Sequence, residues 1–244
     1  MSRDWQGKRY WLVGASDGLG AALAHVMSRA GAHVILSARR EEKLREVADA
    51  LPGPATVQEC DVSDPDSVKQ AVEAIGEIDG IVYLAGLYWP QPAQEWTQDE
   101  ILAMADVNFV GALRCVGAVM PAMIERDRGH IVITGSLSGF RGLPGAQGYA
   151  ASKAGVMAFA ESLYADLRKT GVTVQLGNPG FIKTRLTDKN DFKMPFLMTP
   201  EEAADHMFAL MESDRFEKHF PMVFSWVFRL SRFLPDWAYY RLFS

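Results

Sequence analysis

Tyr149 and Lys153 stand four residues apart in the stretch "YAASK", just after the glycine-rich run "GFRGLPGAQG". On a helix, positions i and i+4 share a face, so a phenol and an ammonium at this spacing can approach each other. A free phenol titrates near pH ~10 and does little acid–base work at neutral pH. A neighbouring cation favours the phenolate and lowers that value, which suits a side chain that must give and take a proton. The same spacing also fits an ordinary helix surface, so the remainder of the chain has to decide.

A second candidate is "VGASDGLG", with Gly14, Gly18 and Gly20 in the spacing G-x-x-x-G-x-G rather than G-x-G-x-x-G. It joins a strand-like run (9–15) to a helical pattern (19–31). Glycines at such a junction let the backbone turn sharply and approach a pyrophosphate, which the helix N-terminus then stabilises. A ligand-free turn is the alternative, but the place in the first βα unit favours a dinucleotide site, with Ser16, Asp17 and Leu19 in the same loop. At the end of the next strand, "ILSARREE" offers Ala38, Arg39 and Arg40 and no acid to hold a ribose 2′-hydroxyl. Arginine is the better partner for a 2′-phosphate, so Arg39 predicts NADP(H) over NAD(H). Arg39 could also be a solvated helix-start residue, and Asp17 lies close to where that phosphate would be.

The elements needed to hold these residues are legible as alternation. Short apolar runs at 9–15, 33–38, 56–62, 78–86, 130–136 and 172–180 read as strands. Helical patterns at 19–31 and 40–51, and one opened by Asp64 and Pro65, separate them. Strands spaced by such helices mean βαβ units, hence an α/β, Rossmann-like, doubly wound parallel sheet with helices on both faces. No repeat or low-complexity linker divides the chain, so residues 1–244 read as a single domain.

Bulk properties exclude several classes. With 244 residues, 48% of them hydrophobic, the chain can bury a large core, and a net charge of -5 gives no electrostatic footprint for nucleic acid. Cys60 and Cys115 match no metal or disulfide spacing and read as small core residues of a reducing compartment. The start lacks a signal-peptide core and no apolar span of 18 residues is evident, which predicts a cytoplasmic protein. The five histidines show no metal spacing.

Taken in this order, the glycine loop, the fifth-strand serine and "YAASK" resemble the short-chain dehydrogenase/reductase family over roughly residues 8 to 187. The resemblance implies Tyr149 as general acid or base. It implies Lys153 as the group that lowers the phenol's pKa and binds the nicotinamide ribose. It points to Ser136 of "ITGSLSG", with Ser138 the nearest rival, and to Asn108 of "ADVNFVGA" as the holder of a relay water. It also implies cofactor contacts at Asp61 and Val62, at Ala85 and Gly86, and at Pro179, Gly180 and Thr184 of "NPGFIKT". One departure is plain: where the family carries Asn-Asn-Ala-Gly, this chain has Tyr83-Leu84-Ala85-Gly86.

The activity so implied is an NADP(H)-dependent interconversion of a carbonyl and an alcohol. The alternatives are a cofactor-binding sensor or scaffold without turnover, and an epimerase or dehydratase of the same fold. Leu87, Tyr88, Trp89 and Trp96 either line an apolar substrate site or pack a loop. Residues 187–219, including "FLM" (196–198), read as a variable substrate loop. Residues 220–244 form an apolar aromatic extension whose polar stripe is Ser225, Arg229 and Arg232, with Pro235 ending the helix. It is too short to span a bilayer and could cover the cleft, meet a neighbouring subunit or lie on a membrane surface. A homodimer or homotetramer is expected from the resemblance alone.

Overall fold

A computed structural model describes residues 3–243. Seven strands form one sheet: β1 (Arg9–Val13), β2 (His33–Ser37), β3 (Ala55–Val57), β4 (Gly80–Tyr83), β5 (Gly129–Thr134), β6 (Val172–Pro179) and β7 (Glu217–Phe220). The order is β3-β2-β1-β4-β5-β6-β7 and every pairing is parallel. Nine α-helices accompany the described strands: α1 (Gly18–Arg29), α2 (Glu41–Asp49), α3 (Pro65–Ile75), α4 (Gln98–Ala105), α5 (Gly111–Glu125), α6 (Gln147–Leu167), α7 (Pro200–Met211), α8 (Met222–Ser231) and α9 (Asp236–Phe243).

The sheet's two faces follow from the period of two along each strand. Trp11, Val13, Ile81, Tyr83, Ile131 and Ile133 face one side, where α3, α5 and α6 cover them. Tyr10, Leu12, Val34, Leu36, Val82 and Val132 face the other, under α1 and α7 with Leu44 of α2. Central strands covered on both faces are continuously apolar, which is why the sequence announces them. Helix starts follow local chemistry. The Asp64 side chain accepts a hydrogen bond from the Asp66 amide ahead of α3, and Thr199 and Glu202 cap α7 reciprocally.

One polar chain crosses the second core. The Tyr10 hydroxyl meets His130 Nδ1 at 2.9 Å, and His130 Nε2 meets Gln175 Oε1 at 2.8 Å. Gln175 in turn donates to the carbonyls of Leu210, Ser213 and Arg215. Burial pushes the His130 pKa down to about 3, so the ring is neutral, and the network ties three strands to the end of α7.

The structure corrects three expectations and bears out a fourth. The third strand stops at Val57; the Gln58 and Cys60 amides still donate to the Leu36 and Ala38 carbonyls, and the chain turns only at 62–63. A seventh strand, "EKHF", pairs with β6 although it has no apolar run; it lies at the sheet edge, where only Phe220 is buried. Cys60 and Cys115 are, as expected, small buried residues of the first core with free thiols. Finally, helix runs on from Gln98 to Glu125 with a mean hydropathy of 1.6 in its 18-residue window, which by length and composition could cross a membrane. Here its inner residues, among them Met104, Ala112, Cys115 and Val119, are packed against the rest of the fold.

Candidate active site

The strand order reverses between β1 and β4, and a crevice at the carboxyl ends of parallel strands is the expected outcome of such a switch. A cleft of about 790 Å³ opens there. Its floor is the glycine loop between β1 and α1. Gly14 has φ +97° and no room for a side chain: a Cβ would lie 2.5 Å from the Ala85 amide nitrogen. Gly18 has φ +53°, and Thr184 Cγ2 packs against it where a Cβ would sit. The backbone at the α1 N-terminus can therefore be approached closely from the cleft, a cradle that suits a pyrophosphate.

Ser16, Asp17, Leu19, Gly20, Arg39, Asp61, Val62, Ala85, Gly86, Pro179, Gly180 and Thr184 all line this cleft. Asp17 has two local bonds. One carboxylate oxygen accepts from the Gly18 amide at 2.7 Å, capping α1, and the other pairs with Arg185. Arg39 is exposed at the cleft edge, and there is no acid at the end of β2. Burial works against the Asp61 carboxylate, but two bonds from Ser63 and the charges of Arg39 and Arg114 outweigh it and hold its pKa below the usual value.

Opposite the glycine loop, β5 ends at Thr134 and α6 begins at Gln147. Ser136 is 5% exposed and accepts from the Ser138 amide at 3.1 Å, which fixes the serine at the start of a short helical turn. Its hydroxyl lies near enough to the Tyr149 phenol to act on that group's acidity. One turn along α6, Lys153 Nζ donates to the Thr134 carbonyl at 2.9 Å and sits 5.9 Å from the centre of the Tyr149 ring. Ser136, Tyr149 and Lys153 thus share one wall of the cleft.

The electrostatics differ from the sequence expectation. Burial pushes the Tyr149 pKa up, the Ser136 hydroxyl opposes it, and neighbouring Tyr88 adds to the rise. Lys153 does not bring the phenol down in this arrangement. Its own pKa falls to about 8 because its ammonium is buried. A protonated phenol beside a serine hydroxyl is the donor form.

Asn108 lies behind the wall instead of in it. It is fully buried in a π-helical turn, Asp106–Val110, between α4 and α5. Its Oδ1 accepts from the Leu87 amide at 2.6 Å, and its Nδ2 donates to the Leu87 carbonyl at 2.9 Å and Ser152 Oγ at 3.0 Å. Its side-chain amide is engaged by protein on both atoms, so here it positions the Leu87 backbone against α6. The substitution at Tyr83 acts nearby: its hydroxyl donates to the Val107 carbonyl at 2.5 Å, tying β4 to the same turn.

The aromatic residues after β4 divide. Leu87 and Tyr88 line the cleft, the Tyr88 ring standing edge-on to Tyr149 at 5.0 Å. Lys189 lies 4.2 Å over the Trp89 ring and donates to the Tyr88 carbonyl, which joins the 181–198 segment to this loop. Trp96 is exposed and bonds only to Gln98. Of "FLM", Met198 is buried in the second core, while Phe196 is exposed and stacks near Phe224.

The cleft's apolar end uses residues that the sequence did not single out. Leu143, Phe181 and Phe192 line it, together with Phe224 and Phe228 from α8. The period of four between Phe224 and Phe228 was the available signal. Ser225, expected on a polar stripe, instead faces inward at 1% exposure and bonds to the Met222 carbonyl. The cleft-covering reading of this segment holds for the inner face of α8.

Comparison with known proteins agrees with this geometry. A family model described as short chain dehydrogenase matches residues 8–194. An uncharacterized oxidoreductase of Myxococcus xanthus is 38% identical over 232 residues, 92% of each chain. A solved short chain dehydrogenase/reductase from Burkholderia phymatum, in complex with NAD, superposes with a TM-score of 0.84 over 94% of each chain at 23% identity. An actinorhodin polyketide ketoreductase with NADPH gives 0.77 at 27% identity, over 86% of this chain and 92% of its own. A match of this extent, on a chain whose glycine loop, fifth-strand serine and YxxxK helix meet in one cleft, has one reading: the protein belongs to the short-chain dehydrogenase/reductase family, enzymes that bind NAD(P) and oxidise or reduce small alcohols and carbonyl compounds.

Proposed function

We propose that the protein is an NADP(H)-dependent reductase of bulky apolar ketones or aldehydes, with Tyr149 as the proton donor. The observation that carries this reading is the joining of one cleft from two unlike halves. One half is a glycine cradle with Arg39 at its rim, and the other is the Ser136–Tyr149–Lys153 wall running into a phenylalanine-lined end.

Gly14, Gly18 and the α1 N-terminus would hold the pyrophosphate, Arg39 a 2′-phosphate, and Lys153 the nicotinamide ribose. The bound cofactor supplies the hydride. Ser136 Oγ and Tyr149 Oη orient the carbonyl oxygen, and the protonated phenol gives up its proton as negative charge grows there. Positioned proton transfer of this kind contributes roughly 10²–10⁴-fold. Asn108 keeps Leu87 and Ser152 in place and touches none of the reacting atoms. Leu87, Leu143, Phe181, Phe192, Phe224 and Phe228 exclude water and select apolar substrates by area buried.

The test is NADPH consumption against ketones and aldehydes of increasing apolar size, with Tyr149→Phe as control. Turnover that rises with apolar size and vanishes in the variant supports the assignment. Tight NADPH binding with no turnover on any compound would favour a sensor. A Tyr149→Phe enzyme of undiminished rate would end the proposed role of the phenol.

A further inference from the structure

The outer side of the last two helices is apolar where it should be polar. Helix α8 buries Phe224 and Phe228 inward, yet on the opposite side Trp226 and Leu230 are exposed, continued by Phe233 at 85% and Trp237 at 75%. Nine of the sixteen large hydrophobic side chains exposed in the described chain fall between Met222 and Leu242. Single exposed apolar residues need no explanation, but a concentration of this kind marks a surface that is covered in use. A helix apolar all round is expected inside a core or in a membrane. At ten residues α8 is about 15 Å long, half of a ~30 Å hydrocarbon layer, so it can only lie along an interface.

Charge selects the occupant. Residues 222–243 contain three arginines, Arg229, Arg232 and Arg241, and one acid, Asp236. Asp236 is already bonded to Arg141 of the main body at 2.6 Å. Arg229 lies 4.5 Å over the Trp226 ring, and none of the three arginines has a salt-bridge partner among the described residues. The segment is thus net positive on a chain of net charge -5. An isologous dimer through this face would set the same arginines against one another with no free acid to meet them. An anionic lipid surface offers both apolar depth for the tryptophans and phenylalanine and phosphate for the arginines.

The face is also held rigid. Arg141 donates to the carbonyls of Ser231 and Leu234 and stacks 3.9 Å over the Tyr239 ring, and the Tyr239 hydroxyl donates to the Gly142 carbonyl. Both helices are therefore tied to the main body before docking, which lowers the ordering entropy lost on it.

We propose that the outer face of α8 and α9 docks the protein on anionic bilayers, with the axes of both helices in the interfacial plane. The docking goes beyond the reductase reading and does not depend on it.

The full-length protein would be floated with vesicles of phosphatidylcholine alone or of phosphatidylcholine mixed with phosphatidylglycerol. It is compared with a Trp226→Ser/Phe233→Ser/Trp237→Ser variant and an Arg229→Gln/Arg232→Gln/Arg241→Gln variant, with molar mass measured by light scattering. Binding to the mixed vesicles is expected, weakened by salt. Affinity should fall roughly tenfold or more in the serine variant, and in the glutamine variant on the anionic vesicles only. The glutamine variant leaves the apolar side chains in place, so it decides the matter if the serine variant does not fold. Absence of wild-type binding to either vesicle would overturn the proposal, as would binding unchanged in the glutamine variant. A wild-type dimer that becomes a monomer in the serine variant, without vesicle binding, would show that a second copy covers this face.

Discussion

The Tyr83 hydroxyl donates to the Val107 carbonyl at 2.5 Å, so the end of β4 is fastened to the π-helical turn that carries Asn108. Such turns leave backbone carbonyls misaligned with the regular ladder, and this one is satisfied from outside the helix. Tyr83→Phe removes the donor and leaves a buried carbonyl short of a partner. Stability should drop by roughly 1–2 kcal/mol in urea unfolding. Because Asn108 acts only through Leu87 and Ser152, kcat should fall while the cofactor's affinity stays close to wild type.

Lys153 gives a pH dependence whose sign can be worked out. Its folded pKa of about 8 lies below the ordinary 10.5. Below pH 8 both states carry the proton. Between 8 and 10.5 the unfolded chain binds more protons, so this group makes the fold more stable as pH rises through that window. The full span corresponds to about 3 kcal/mol. Lys153→Met should flatten that rise, measured by denaturation at pH 7 and pH 10. Turnover should fall above about pH 8 in the wild type, as the ammonium is lost.

Arg39→Ala tests the nucleotide preference. The side chain is exposed at the cleft edge and its bond to a phosphate would be charge-assisted. NADPH affinity should weaken by about tenfold or more with NADH affinity unchanged, read by fluorescence titration of both. An unchanged ratio would remove the argument for NADP(H).

Gly14→Ala meets both a positive φ and a backbone nitrogen 2.5 Å from the new methyl group. The cost should be on the order of 3 kcal/mol, with dinucleotide binding lost in whatever fraction folds. Calorimetry with and without NADPH separates the two effects.

Phe228→Ala opens the apolar end of the cleft. The ring is 9% exposed and packs on Phe224, so stability should fall by about 2–3 kcal/mol. KM for bulky ketones should rise more than the NADPH constant does, since the Phe228 ring belongs to the cleft's apolar lining.

The central architecture was legible because strands buried on both faces are written as uninterrupted apolar runs, and the glycine loop and YxxxK motif are local in sequence. Where burial is one-sided the signal fades. "EKHF" is an edge strand with one buried residue, and the run at 56–62 is apolar only because Cys60 and Val62 return to the core after the strand has ended. Ser225 shows the limit of a polar–apolar pattern. Its hydroxyl bonds to its own helix, so it can face inward among phenylalanines, and a stripe counted by polarity alone was misplaced. Asn108 was found by resemblance, but its partners come from Leu87 and Ser152, 21 and 44 positions away, which no local pattern encodes.

Arg141 stands five positions after Ser136, and its guanidinium grips Ser231, Leu234 and Asp236 some ninety positions later. The C-terminal helices are therefore not an appendage that can be cut away to leave an intact core. Shortening the chain before residue 231 would strip a half-buried cation of its acceptors at the foot of the serine loop. Loss of activity in such a truncation would report a displaced Ser136 before it reported anything about what the helices touch. Substitutions confined to their outward side leave that grip whole, and only they can separate the anchor from the machine it steadies.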